Sequence, residues 1–246
     1  MNTALSIELL QKKHISLPDL EIGQAIDIAQ IPTAMNERRL SAFITHISND
    51  PLLAGRLTAQ ERYYILISHQ AVAQNRYSAV SDIDEYVTET IQHDVPAEHQ
   101  VGDVSINHLL GAHVCVLEGI CQNVYDWLAG QVACQLSGDL NSIVGGYDEA
   151  LNWDDLRADM TEAELNATIQ ARVATLNKLS VDNFNEIILT YNLGVSHLQH
   201  FVVLGCENNG LTIIKQGGDG IDEPARFLAL SGLRGTAERL AECLAG

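Results

Sequence analysis

The sequence predicts a mainly α fold with small β elements (α+β), and three observations carry that prediction. Apolar residues recur at helical spacing over several long stretches. Two capping-box signatures, Thr58-Ala-Gln-Glu61 and Thr161-Glu-Ala-Glu164, stand ahead of apolar runs. Strand-like signals are confined to short stretches near 101–106 and 211–215. Of the 246 residues, 46% are hydrophobic and 19% charged, so there is enough apolar surface to offset the entropy of ordering the chain. Aromatics make up only 5%, which leaves the core to Leu, Ile, Val and Ala.

Element by element, Ile22, Ala25, Ile26 and Ala29 share one helical face that stops at Pro32, and Leu40, Phe43, Ile44 and Ile47 repeat the spacing after Asn36. Asn49-Asp50-Pro51 is a turn. The Thr58 box opens a helix through Tyr63, Ile65, Leu66 and Ala71. From 75 to 108 periodicity gives way to Asp, Glu, Ser and Pro, an acidic excursion with a brief strand at Val101, Val104 and Ile106. Leu110, Val114, Leu117, Cys121, Val124 and Leu128 form a stripe that is expected to be buried. Gly119 and Gly130 each weaken a helix by about 1 kcal/mol relative to alanine, so a break near Asn123 is as well supported as one long rod.

A loop is expected over 137–146. The Thr161 box then opens a helix with Leu165, Ile169, Val173 and Leu176. The next helix runs from Phe184 to about Leu204, capped by Asp182 or Asn183 and interrupted at Asn192-Leu193-Gly194. Asn209-Gly210 turns into a strand at Leu211, Ile213 and Ile214; Gly217–Gly220 is a loop; a final helix starts near Thr236. The halves 1–138 and 147–246 are thus two helical regions with their boundary near 137–146, or one domain.

The formal net charge is −18. Such a chain repels DNA and anionic membranes unless it carries a segregated basic patch, and Lys12-Lys13 and Arg38-Arg39 are the longest basic clusters. No nucleic acid partner and no membrane span are expected. The five cysteines form no C-x-x-C pair, and the opening residues lack the features of a secretory signal, so free thiols in a reducing cytoplasm are expected.

Motifs for chemistry are sparse. His197 and His200, three apart on an expected helix, are the best candidates for a metal pair, but no Asp or Glu accompanies them locally. His108, His113, Cys115 and Cys121 are close in sequence, yet on a helix the two cysteines point about 240° apart. Ser196-His197 and Ser68-His69 are adjacent pairs whose side chains diverge on a helix, and no G-x-S-x-G elbow is present. Asp219, Asp222 and Glu223 offer oxygens to calcium without the EF-hand order, and a solvated turn is the plainer reading. The acidic groups Asp82/Asp84/Glu85, Asp148/Glu149 and Asp154/Asp155 read as solvated faces. Trp127 is expected in the core, with an interface anchor as the alternative role for either tryptophan, Trp127 or Trp153. No catalytic, cofactor-binding or metal residue is therefore assigned.

The middle of the chain contains Leu57-Thr-Ala-Gln-Glu-Arg-Tyr-Tyr-Ile-Leu66, Asn75-Arg-Tyr-Ser-Ala-Val80, Leu109-Leu-Gly-Ala-His-Val-Cys-Val-Leu-Glu118 and Tyr125-Asp-Trp-Leu-Ala-Gly-Gln-Val-Ala-Cys-Gln-Leu136. This stretch resembles the tail and baseplate-hub proteins of tailed bacteriophages, the group similar to a T-even-phage baseplate assembly protein. It departs from that pattern at Leu110, where threonine is expected, and at Ala79, where aspartate is expected. The resemblance implies a non-enzymatic, cofactor-free component of the tail tip that binds other tail and baseplate proteins as an oligomer or hetero-complex. It would reside in host cytoplasm during assembly and then in the virion tail. A tail assembly chaperone not retained in the virion is one alternative, and a cytoplasmic metal-dependent enzyme using His197 and His200 is another.

Overall fold

The structure of the protein is a computed structural model that describes residues 5–73, 85–88, 93–144, 151–157, 159–216 and 224–225. The chain starts with an antiparallel hairpin of β1 (Leu5–Glu8) and β2 (His14–Leu17), in which Ile7 faces Ile15 in register and both are buried. Its turn passes through Gln11 and Lys12 at φ 55° and 59°. Helix α1 (Ile22–Gln30) follows. Its anchoring residue is Ile28, fully buried, whereas Ile22 and Ile26 on the expected apolar face are 62% and 43% exposed.

Helix α2 (Asn36–Ser48) buries Leu40, Phe43, Ile44 and Ile47 as its spacing predicts, and it ends at Asn49 in the left-handed conformation. After the short α3 (Leu53–Arg56), the Thr58 box opens α4 (Ala59–Ala73). Both capping bonds are present: the Glu61 amide donates to Thr58 Oγ1 at 3.1 Å and the Thr58 amide to Glu61 Oε2 at 2.8 Å.

The brief strand expected near 101–106 is a hairpin, β3 (Glu98–Val101) and β4 (Val104–Asn107). The long apolar stripe divides into α5 (Gly111–Ile120) and α6 (Val124–Gln135), where Asn123 Oδ1 accepts the amides of Tyr125 and Asp126 at 2.9 and 3.1 Å. That cap resets the helical phase, so the stripe does not continue across it. Val114 and Leu117 are buried, but α6 turns Trp127, Val132 and Ala133 inward, leaving Val124 and Leu128 half-buried.

The loop expected over 137–146 is replaced at its start by β5 (Leu136–Asp139), which pairs with β4 and with β6 (Asn152–Trp153) to complete a four-stranded antiparallel sheet. Helix α7 (Glu162–Leu176) begins at the second capping box as expected. Helix α8 (Val181–His197) is capped by Ser180, whose Oγ accepts from the Asn183 amide at 3.2 Å, in place of Asp182 or Asn183. It is continuous through Asn192-Leu193-Gly194. Gly194 is a packing glycine: a Cβ there would lie 2.4 Å from Ile106 Cγ1 on β4, so the missing side chain lets helix and sheet approach. Strands β7 (Leu204–Glu207), β8 (Gly210–Ile214) and β9 (Pro224–Ala225) form a third antiparallel sheet.

One hydrophobic cluster runs from Ile7 to Ile213 and includes residues of both predicted halves. Helix α6 packs on α7, and α8 packs on β3 and β4, across the expected boundary. The final helix expected from Thr236, the Gly217–Gly220 loop and most of the acidic excursion lie outside the described residues. Among the described residues no helix is long and apolar enough to cross a membrane.

Candidate functional site

Among the described residues, two polar centres and two clefts are the places where chemistry is concentrated. The first centre is built by α2, α4 and α5 around Arg62, which is fully buried. Arg62 Nη2 donates to Glu37 Oε2 at 3.0 Å and to the Glu37 carbonyl at 2.8 Å; Nη1 donates to Ser41 Oγ and the Ala54 carbonyl, both at 2.9 Å. The Tyr63 hydroxyl donates to Glu37 Oε1 at 2.5 Å. From α5, the Glu118 carboxylate accepts the amides of Glu37 and Arg38 at 2.6 and 3.1 Å, and so caps α2 from a distant part of the chain. Burial raises the Glu118 pKa against those two hydrogen bonds. The Cys115 thiol sits 3.1 Å from Ser41 Oγ, and burial pushes its pKa up, which makes it a poor nucleophile.

The second centre forms where the chain leaves α8. His200 is buried; its Nδ1 donates to the Leu198 carbonyl at 2.7 Å, so Nε2 accepts from the Thr58 hydroxyl at 2.9 Å. Thr58 Oγ1 also accepts the Glu61 amide, which commits that hydroxyl to holding α4. Burial lowers the His200 pKa to about 4, making the ring a weak base at neutral pH. His108 meets His200 edge-on at 5.1 Å, and its Nε2 lies 2.9 Å from the Pro96 carbonyl. Phe201 follows at φ 55°, uncommon for a bulky residue, and is held by stacking on Tyr64 at 4.6 Å and by edge contacts with His93 and His200.

His197 and His200 are not brought together. Helix α8 ends at His197, which is exposed and stacks on His99 at 4.2 Å, while His200 turns inward toward Thr58. Among the described residues no three His, Cys, Asp or Glu side chains converge as metal ligands. Ser196 Oγ donates to the Leu193 carbonyl at 2.7 Å and His69 Nε2 lies 3.1 Å from the Pro18 carbonyl, so neither Ser-His neighbour pair is a working dyad. Cys115 lies on α5, and Cys121 is the residue that ends it, in extended conformation.

Trp127 is in the core. Trp153 packs under the Arg172 guanidinium at 5.0 Å, and Arg172 donates to the carbonyls of Ala133, Leu136 and Asp154. Of the acidic groups, Glu85 pairs with Lys215 at 2.7 Å and Asp155 Oδ1 accepts from Asn107 at 3.1 Å. Asp82, Asp84, Asp148, Glu149, Asp219, Asp222 and Glu223 lie outside the described residues.

A cleft of about 420 Å³ opens between the β1–β2 turn, α3 and the starts of α4 and α5, lined among others by Lys13, Arg56, Thr58, Glu61, His108 and His113. His113 occupies the first turn of α5, where Nδ1 accepts the Leu110 amide at 3.2 Å in a capping arrangement. Its Nε2 is buried and makes no close, well-aligned hydrogen bond, the Leu156 backbone being the acceptor that the ring meets. Burial lowers its pKa to about 4, against a smaller opposing pull from the Leu156 backbone. A second cleft of about 250 Å³ carries the amides Gln60, Gln131, Gln135, Asn192 and Gln199 and the hydroxyl of Tyr191. Sequence reasoning missed Glu37, Arg62 and the cleft. Arg62 stands next to Glu61 in a box that looks complete without it, and the cleft collects residues from five separate segments.

Compared with known proteins, the chain matches no family model, no curated protein and no solved structure.

Proposed function

We propose that this chain is a non-enzymatic structural protein of a bacteriophage tail, a component of the tail tip or baseplate hub that works through protein–protein contacts. The observation that carries the contact role is a pair of unpartnered apolar faces. Ile22 and Ile26 on α1, and Leu189 and Leu193 on α8, are four-residue neighbours on their helices and more than 40% exposed. Scattered exposed apolar residues are ordinary, but neighbours on one helical face form continuous patches of the kind that mark interaction surfaces. The resemblance over Leu57–Leu136 supplies the kind of assembly. Of the two histidines that the metal-dependent reading needs, His200 is committed to Thr58 and Leu198 and His197 stacks on His99 at the surface, which favours the structural reading. Quantitative mass spectrometry of purified virions against infected-cell lysate tests it. Retention in the particle at fixed stoichiometry is the expected result, abundance in lysate alone favours the assembly chaperone, and absence from a phage-infected cell overturns both.

A further inference from the structure

Between α8 and β7 the chain makes one strained turn over a buried histidine. The Val202 amide donates to the His200 carbonyl at 2.6 Å, which closes a three-residue γ-turn with Phe201 at its centre and φ 55°. A γ-turn with positive φ is rare, and on a residue with a bulky side chain it is strained. Contacts with other elements hold it shut. His200 Nε2 accepts the Thr58 hydroxyl at 2.9 Å, Phe201 stacks on Tyr64, and the Phe201 carbonyl accepts the Thr88 amide at 2.8 Å. His200, Phe201 and Val202 are at most 1% exposed.

The bond to Thr58 needs a bare Nε2. A proton there turns the acceptor into a donor aimed at Thr58 Oγ1, which already accepts the Glu61 amide. The neighbouring groups offer that charge no partner. From the approach to α5, His108 meets the ring edge-on, and His93 touches Phe201. From α4, Tyr64 stacks on Phe201, and Glu61 has its oxygens on the amides of Leu10 and Thr58. Beside Val202 on the 85–88 segment are Tyr86 and Glu85, the latter paired with Lys215, and on α8 His197 is stacked on His99. Among the described residues no carboxylate bonds to the His200 ring. Burial lowers its pKa to about 4, and His108 pushes the same way.

We propose that Leu198–Val202 is an acid-released latch: protonation of His200 opens the turn and frees the end of α8 from Thr58 and Tyr64 while the rest of the fold stays closed. Once open, the ring is in water and titrates at its ordinary value of 6.5. The latch is therefore fully held above that value, and each pH unit below it, down to about 4, multiplies the open population about tenfold. Between pH 7 and pH 5 the gain is about twentyfold. Opening bares the faces of Tyr64 and Phe201 together, an apolar surface displayed only in acid. The inference is independent of the proposed tail role.

The test is native-state hydrogen exchange on the full-length protein from pH 7 to pH 5, with each rate divided by the intrinsic rate at that pH. The amides of Val202 and Thr88 report on the latch, and that of Ile169, inside α7, reports on the rest. Val202 and Thr88 should lose about twentyfold more protection than Ile169, and His200→Gln should abolish that excess. A second measurement, the NMR titration of the His200 ring in the parent protein, needs no variant and should give a midpoint of about 4. A midpoint near 6.5 with the latch amides still protected, equal loss of protection at all three amides, or the full excess persisting in folded His200→Gln overturns the proposal.

Discussion

Truncating Arg62 removes the cation against which the Glu37 carboxylate is buried. Both side chains are at most 2% exposed, so water cannot replace the lost partner. An uncompensated buried charge costs about 3–5 kcal/mol, and Arg62→Met should lose that much in chemical denaturation. The Arg62→Met/Glu37→Gln double variant should lose much less than the sum of the single losses, because the second change removes the stranded charge. His113 and His200 set the response to acid. Each is neutral when folded, with a pKa near 4, and takes up a proton near 6.5 when unfolded. The unfolded chain therefore binds more protons between those values, and stability falls as pH falls through that window. His69 and His108, lowered by burial, act in the same sense; Glu61 and Glu118, raised by burial, act in the opposite one. A loss of about 2 kcal/mol between pH 7 and 5.5 is expected from denaturant midpoints, reduced in His200→Gln.

Helices were legible where the signal is local. The Thr58 and Thr161 boxes and the Asn123 break depend on residues within one turn, and all are found as the spacing implies. What failed was anything decided by a distant neighbour. Gly194 reads as an interruption until Ile106 is placed against it, and the continuation at Leu136 reads as loop until β4 and β6 pair on either side. His197 and His200 looked convergent only because α8 was expected to run past His197. Gly194→Ala tests the packing explanation directly. Alanine is the better helix former by about 1 kcal/mol, yet a Cβ at 2.4 Å from Ile106 should destabilise the protein by about 1–3 kcal/mol. Combining it with Ile106→Ala should recover part of that contact strain in a thermal melt.

At the scale of the whole molecule, the proposed role gives the exposed apolar faces to assembly, while the buried polar centres hold the fold. Leu189→Asp with Leu193→Asp should leave the unfolding free energy within about 0.5 kcal/mol of the parent for each change, since both side chains are solvent-facing. Under the proposed tail role, the same variant should fail to enter purified virions, read by immunoblot of the particle fraction. The segment from Leu198 to Val202 has a different kind of consequence. His200 and Phe201 enter the N-terminal region at Thr58 and Tyr64, and the Phe201 carbonyl accepts the Thr88 amide. Cutting the chain near its midpoint would thus leave a vacant socket on one piece and a bare plug on the other, so the two regions meet there as tenon and mortise of a single joint.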